Sequence, residues 1–309
     1  MVRKMSDMAK RMITGLLLSA LVIADIFWLR TYSVYLTDAL VLFFAVFGSW
    51  EMAKALSLGP AEANPKDDYF NEGVKHARPI KWIPPLTALL SFGAFLWLGA
   101  AGLVITVLLM AMLALTLVTF YKKCKLIDLL GTLAAMIYPQ MFLALFYVVN
   151  HDSDMGMFLL TMVLGISIVT DSMALGMGIA FGKHKLCPTV SPNKTIEGAI
   201  GGLLGGVIGS FIPFVLFTVL RLGENVANYG AMALSDNMTV SIILHVVLGL
   251  VGSVFNQVGD IAASMIKRKV GIKDYSKIFP GHGGVMDRMD GMSFVLVAVF
   301  IFNVIRCAL

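Results

Sequence analysis

Apolar runs of roughly 20 residues recur along the chain, each long enough to cross a lipid bilayer as a helix. Nine such runs lie at about 13–29, 34–50, 82–99, 101–120, 126–149, 157–181, 198–220, 239–266 and 291–307. Asp25 and Asp38 interrupt the first two, and Pro84-Pro85 falls where the third begins. The pattern predicts an all-α polytopic membrane protein. Its polar positions are unevenly spread. The first five runs, in residues 1–150, are mostly plain apolar, whereas residues 151–309 hold four helices and the polar groups that carry chemistry. A transmembrane N-terminal region and a catalytic C-terminal region with cytoplasmic loops are therefore expected.

The polar positions that do occur are informative. In the eighth run, Ser253, Asn256, Asp260, Ser264 and Lys267 stand at offsets −7, −4, 0, +4 and +7 from Asp260. At the helical period of about 100° per residue they fall within about 40° of one direction. Such a stripe in a span faces a bundle interior or a wet cavity. The sixth run carries Asp171, an ionisable residue inside a span and hence a functional candidate. In the following loop Ser191, Pro192, Asn193 and Thr195 form a helix-start cluster, with Thr195 the expected N-cap and Glu197 in the first turn. Helix N-termini attract phosphate through free amides and the dipole, and Lys183, Lys185 and Lys194 lie beside this one. In the seventh run, Gly198, Gly202 and Gly206, with Gly201, Gly205 and Gly209, make two small-residue ridges suited to close helix packing in lipid. His245 reads as a satisfied core histidine, and His76 and His151 as loop residues.

Composition supports the membrane reading: 58% of residues are hydrophobic, 14% are charged, and the mean hydropathy is +0.85. No cleaved signal peptide is recognisable, and Cys124, Cys187 and Cys307 show no paired spacing. With a cytoplasmic N-terminus, 21 of the 24 Lys and Arg fall inside, leaving Arg30, Arg221 and Arg306 outside. The net charge of +5 thus reflects topology and an anionic leaflet, and gives no reason to expect nucleic acid. Residues 57–79 read as a solvated linker or surface helix.

The densest polar stretch runs from Ser264 to Asp290 and holds six Lys or Arg, three aspartates and a Pro-Gly-His-Gly-Gly loop. A topogenic basic loop would explain the cations. It would not explain the interleaved aspartates or the glycines around His282. Asp260, Asp287 and Asp290 offer hard oxygen ligands suited to Mg²⁺. Lys267, Arg268, Lys273, Lys277 and Arg288 can neutralise phosphates, and Gly283 and Gly284 permit close backbone approach. Metal, cations and a glycine-rich loop together are the equipment of nucleotidyl transfer. No Walker A sequence, Ser-His-Asp triad or Cys-His dyad is present.

These residues carry a family resemblance. Ser264-x-Ile-Lys-Arg-x₄-Lys-Asp-x-Ser-x₂-Phe-Pro-x-His-Gly-Gly-Val-x-Asp-Arg-Met-Asp290 resembles the C-terminal motif of the CDP-diacylglycerol synthases, or phosphatidate cytidylyltransferases. Asp171, Phe181-Gly-Lys and Ser191-Pro-x-Lys-Thr-x-Glu-Gly resemble a second block of that family. The first five helices match in hydropathy alone. The resemblance implies CMP transfer from CTP to phosphatidic acid, giving CDP-diacylglycerol and pyrophosphate at the cytoplasmic face of a bacterial-type inner membrane. It implies Mg²⁺ with K⁺ as a second cation, a homodimer, and membrane lipids as partners. It places the family's metal-ligand aspartates on Asp260 and Asp287, and together with Lys267, Arg268 and Asp290 these are the expected catalytic residues. With the polar positions read above, substrate binding is expected at Asp171, Ser191, Lys194, Thr195, Glu197, Ser264, Lys273, Lys277, His282, Gly283, Gly284 and Arg288. Two other readings compete: a CTP-dependent transferase for another lipid phosphate, such as an isoprenoid-ether phosphate, and a transporter using Asp171 and Asp260. The transporter lacks matching interrupted segments in the two halves.

Overall fold

A computed structural model of the chain describes residues 20–57, 79–120, 126–152, 155–220, 234–235, 237–276, 278–279 and 283–308. Its helices are α1, a π turn over Asp25–Leu29 continuing through Arg30–Tyr32; α2, Val34–Leu56; α3, Ile83–Leu98; α4, Ala100–Phe120; α5, Leu126–Asn150; α6, Gly156–Phe181; α7, Ile196–Ser210; α8, Met238–Lys269; and α9, Met286–Ala308. A second π segment, Phe214–Val219, follows α7. Among the described residues, seven helices are long and apolar enough to span a membrane, and α3 is a shorter apolar helix. The protein is an all-α polytopic membrane protein. Eight of the nine expected spans have a described counterpart; residues 13–19 of the first lie outside the described residues, as does nearly all of the 57–79 segment.

Local chemistry accounts for the helix ends. Pro84 and Pro85 sit in the first turn of α3, where a missing N–H leaves no intrahelical bond unmade, so they start the helix instead of blurring it. The apolar α8 ends at Lys269 because Gly271 takes φ +75°, and the Ile272 amide donates back to the Lys267 carbonyl. One feature was not expected. Lys185–Cys187 (β1) and Ser191–Thr195 (β2) pair as a small antiparallel hairpin inside the 182–195 loop. The segment lacks the alternating apolar pattern that announces strands, so the hairpin leaves no periodic trace.

The chain groups into two compact units interleaved along the sequence. Unit 1 comprises Met1–Asp25, Tyr35–Ala144 and Met265–Met289. Its core gathers Met52, Ala53, Ala55 and Ala135 with Tyr275 and Met286. A second cluster holds Ile83, Met110, Ala114, Leu129 and Met136. The buried Gln140 donates from Nε2 to the Pro84 carbonyl at 2.6 Å, tying α5 to α3.

Unit 2 comprises Ile26–Val34, Leu145–Ser264 and Asp290–Leu309. Here α6 and α7 meet along the expected glycine ridges. A Cβ on Gly209 would lie 2.3 Å from the Gly165 carbonyl oxygen, so only glycine permits the observed approach. At one end Arg30 donates to Asn150, and Arg306 and Asn303 reach Asp152. Arg30 and Arg306, which the charge rule places on one side, thus meet Asn150 and Asp152 at this end of the unit.

Candidate active site

The expected site residues divide between the two units. In unit 2, the β hairpin leads into α7 through Thr195, whose extended backbone and Oγ1, accepting from Gly198 N at 3.1 Å, make it the N-cap. Glu197, in the first turn, folds back on the loop. It accepts from the Lys183 and His184 amides and lies 2.6 Å from His184 Nδ1. Thr195 and Glu197 thus close the hairpin onto the helix, and Lys194 is carried on β2 just before the cap.

Lys194 Nζ reaches Asp260 Oδ2 at 2.6 Å. On α6, Asp171 accepts from Asn256 Nδ2 at 2.6 Å, and Asn256 Oδ1 in turn accepts from Ser167 Oγ at 2.8 Å. Asn256 is fully buried and packs so closely on Gly291 that a Cβ there would meet it at 2.5 Å. Ser167 and Asn256 therefore orient the Asp171 carboxylate. The polar stripe of α8 faces the interior, as its period demands, with Ser253 and Asn256 buried.

These groups edge one cavity of about 510 Å³. Asp171, Asn193, Lys194, Thr195, Gln257 and Asp260 supply its polar lining, and Leu175, Ile179 and Leu186 supply apolar lining. The volume suits a small ligand. Ser191 pairs with Cys187 in the hairpin and does not line the cavity. Ser264 is half-buried on α8, and Asp290 accepts from the amide of Gly291 at the unit 2 end of α9's first turns. Asp290 is three residues from Asp287 in the first turns of α9, yet the two belong to different units.

In unit 1, Asp287 is buried and takes three donors. Lys267 Nζ lies 2.7 Å from Oδ1, and the amides of Tyr275 and Gly284 each donate to Oδ2 at 2.9 Å. The Lys267 ammonium also stands 5.6 Å from the Tyr275 ring centroid. Gly283 has φ +83°, and a Cβ on it would meet Asp287 Oδ2 at 2.7 Å, so the Gly-Gly pair brings the backbone onto a carboxylate of the protein itself. Arg268 donates to the Ile272 carbonyl, and Lys273 and Arg288 are exposed. Lys277 and His282 lie outside the described residues.

Sequence reasoning missed Glu51, on α2. It is fully buried, and accepts from Ser276 Oγ at 2.5 Å, Val285 N at 3.1 Å and Met286 N at 2.9 Å. A single acid at the end of an apolar run carries no local signal, because its partners lie more than 220 residues away in sequence. Gln257, which donates to the Ala199 carbonyl, was likewise passed over, since it sits one residue off the stripe.

Among the described residues no three acidic, His or Cys side chains gather into a metal-binding cluster, and the candidate oxygen donors Asp260 and Asp287 are each paired with a lysine. Asp171 and Asp260 present oxygen donors to one cavity.

The sequence profile of the cytidylyltransferase family matches residues 9–306, nearly the whole chain. The chain belongs to the cytidylyltransferase family. Relatives named phosphatidate cytidylyltransferase share its sequence in part. The Staphylococcus aureus (strain COL) protein is 41% identical over 128 residues, 41% of this chain and 42% of that protein. The Haemophilus influenzae protein is 38% identical over 144 residues, 47% of this chain and 45% of its own length. The Staphylococcus saprophyticus protein is 34% identical over 128 residues, again 42% of its length. The matched stretch thus spans less than half of each relative.

Proposed function

We propose that this family member transfers CMP from CTP to phosphatidate, forming CDP-diacylglycerol and pyrophosphate at the cytoplasmic face of the inner membrane, as a homodimer. The observation that carries the reading is the unit 2 cavity. Its acidic and basic edge, Asp171, Lys194 and Asp260, suits charged phosphates, and its Leu175, Ile179 and Leu186 lining suits the apolar part of a lipid. Family membership and the names of the relatives support the same chemistry.

A phosphate monoester has a second pKa of about 6, so at neutral pH phosphatidate is largely a dianion and already a nucleophile. Its oxygen bonds to the α-phosphorus of CTP while the bond from that phosphorus to the pyrophosphate oxygen breaks. No proton need be removed, so the chain supplies neutralisation and alignment in place of a general base. Lys194 can turn from Asp260 to an incoming phosphate. Asn256 and Ser167 hold Asp171 at the cavity edge, and the Thr195 cap fixes the loop that presents Lys194.

Mg²⁺ is the proposed cofactor, with K⁺ as a second cation and the motif's Asp260 and Asp287 as ligands. When bound, Mg²⁺ would offset phosphate charge and stabilise the charge that develops on the leaving oxygens. Each of these carboxylates is now paired with a lysine, Asp260 with Lys194 and Asp287 with Lys267, and a cation bound at either one would displace that lysine.

The test is acceptor choice under constant CTP and Mg²⁺. Phosphatidate should be used at least tenfold better than an isoprenoid-ether phosphate. Equal or reversed preference would transfer the assignment to another lipid phosphate.

A further inference from the structure

A carboxylate with no solvent exposure is costly to bury unless donors replace its water. Glu51 has such donors, and all three come from one segment, Ser276–Met286. Two are amides at the start of α9, where the helix dipole also favours an anion. Glu51 thus caps α9 from a separate helix. Gly284 is fitted to this arrangement, since a Cβ there would meet Glu51 Oε2 at 2.5 Å.

Asp287 completes the frame. It receives the amides of Tyr275 and Gly284 while Glu51 receives Ser276, Val285 and Met286. The two carboxylates therefore tie both ends of the motif loop, in adjacent residues at each end. All of these contacts lie in unit 1. We propose that Glu51 is a positioning residue for the reaction: from the otherwise plain N-terminal half, it holds the loop that sets the place of Asp287. The proposal rests on the reading of Asp287 as an active-site carboxylate.

Glu51→Gln keeps the volume but turns an amide toward amides, and so loses acceptors. The test measures two independent quantities in proteoliposomes. The first is hydrogen exchange of the 276–287 peptide by mass spectrometry, which does not depend on turnover. It should quicken at least tenfold, with peptides from α6 and α7 unchanged. The second is kinetics. Turnover kcat should fall at least 30-fold and half-saturating Mg²⁺ should rise, while KM for phosphatidate stays within threefold. A residue important for folding alone would not give this split. Ser276→Ala, which removes one donor and leaves the carboxylate in place, should quicken the same peptide and lower kcat three- to tenfold. It decides the matter if Glu51→Gln fails to insert. Unchanged exchange at 276–287 overturns the proposal, as does faster exchange with kcat within twofold of the parent. A parent protein that makes no CDP-lipid refutes the proposed function instead, and the exchange arm alone then decides whether Glu51 holds the loop.

Discussion

Removal of the Lys194 ammonium should separate binding of anion from binding of cation. Lys194 lies 2.6 Å from Asp260, with side chains 23% and 37% exposed. At that exposure the pair contributes about 0–1 kcal/mol to stability. Lys194→Met should therefore lower the melting temperature by no more than about 2–4 °C. Function should suffer more. A hydrogen bond from an ammonium to phosphate is worth about 1.5–3 kcal/mol, which corresponds to about 10- to 150-fold in kcat/KM. The Mg²⁺ response should move the other way. Asp260 would no longer be shared with a lysine, so half-saturating Mg²⁺ should fall or stay level. Steady-state assays in mixed micelles, titrating Mg²⁺ at fixed CTP, separate the two effects. A kcat/KM within twofold of the parent would refute the role of Lys194, and a rise in half-saturating Mg²⁺ would refute the competition for Asp260.

Other contacts in the fold give further outcomes. Asp260→Asn and Asp287→Asn should both abolish turnover, but the latter leaves the more deeply buried ammonium, Lys267 at 12% exposure against 23% for Lys194, facing a neutral partner. It should lose about 3–5 kcal/mol of stability, visible as a lower melting temperature that Asp260→Asn does not show. Asn256→Ala removes the donor to Asp171 and the acceptor for Ser167, and should reduce kcat/KM by about 10- to 150-fold with the protein still inserted. Gly209→Val drives a side chain onto the Gly165 backbone and should cost at least about 1–3 kcal/mol, measured by thermal unfolding in detergent. Gly176→Ala, with nothing within 4 Å of the added carbon, should melt like the parent.

Much of this could be read from the chain because its physics is local and periodic. Apolar run length marked the spans, and the four-residue spacing of Gly201, Gly205 and Gly209 marked a close helix contact. The stripe through Asn256 and Asp260 indicated which face of α8 turns inward, and Thr195 was recognisable as a cap from its flanking residues. The remainder depends on long-range contact. Glu51 meets Ser276, Val285 and Met286 only after folding. Asn256 was legible as a stripe member, but its bond to Asp171 comes from the packing of α6 beside α8. The glycines of Pro280-Gly-His-Gly-Gly suggested room for a ligand. In the fold, Gly283 and Gly284 also leave room for the carboxylates of Asp287 and Glu51. A glycine reports that something approaches closely, without saying what.

The most direct measurement of the central claim uses CTP labelled separately at its α- and γ-phosphorus, with the purified protein in phosphatidate-containing liposomes. With Mg²⁺ present, the α label should enter the lipid fraction, and the γ label should appear in pyrophosphate in equal amount. Without Mg²⁺ neither should move. Entry of the γ label into lipid would show a kinase in place of a cytidylyltransferase. Absence of both transfers from folded protein would contradict the account.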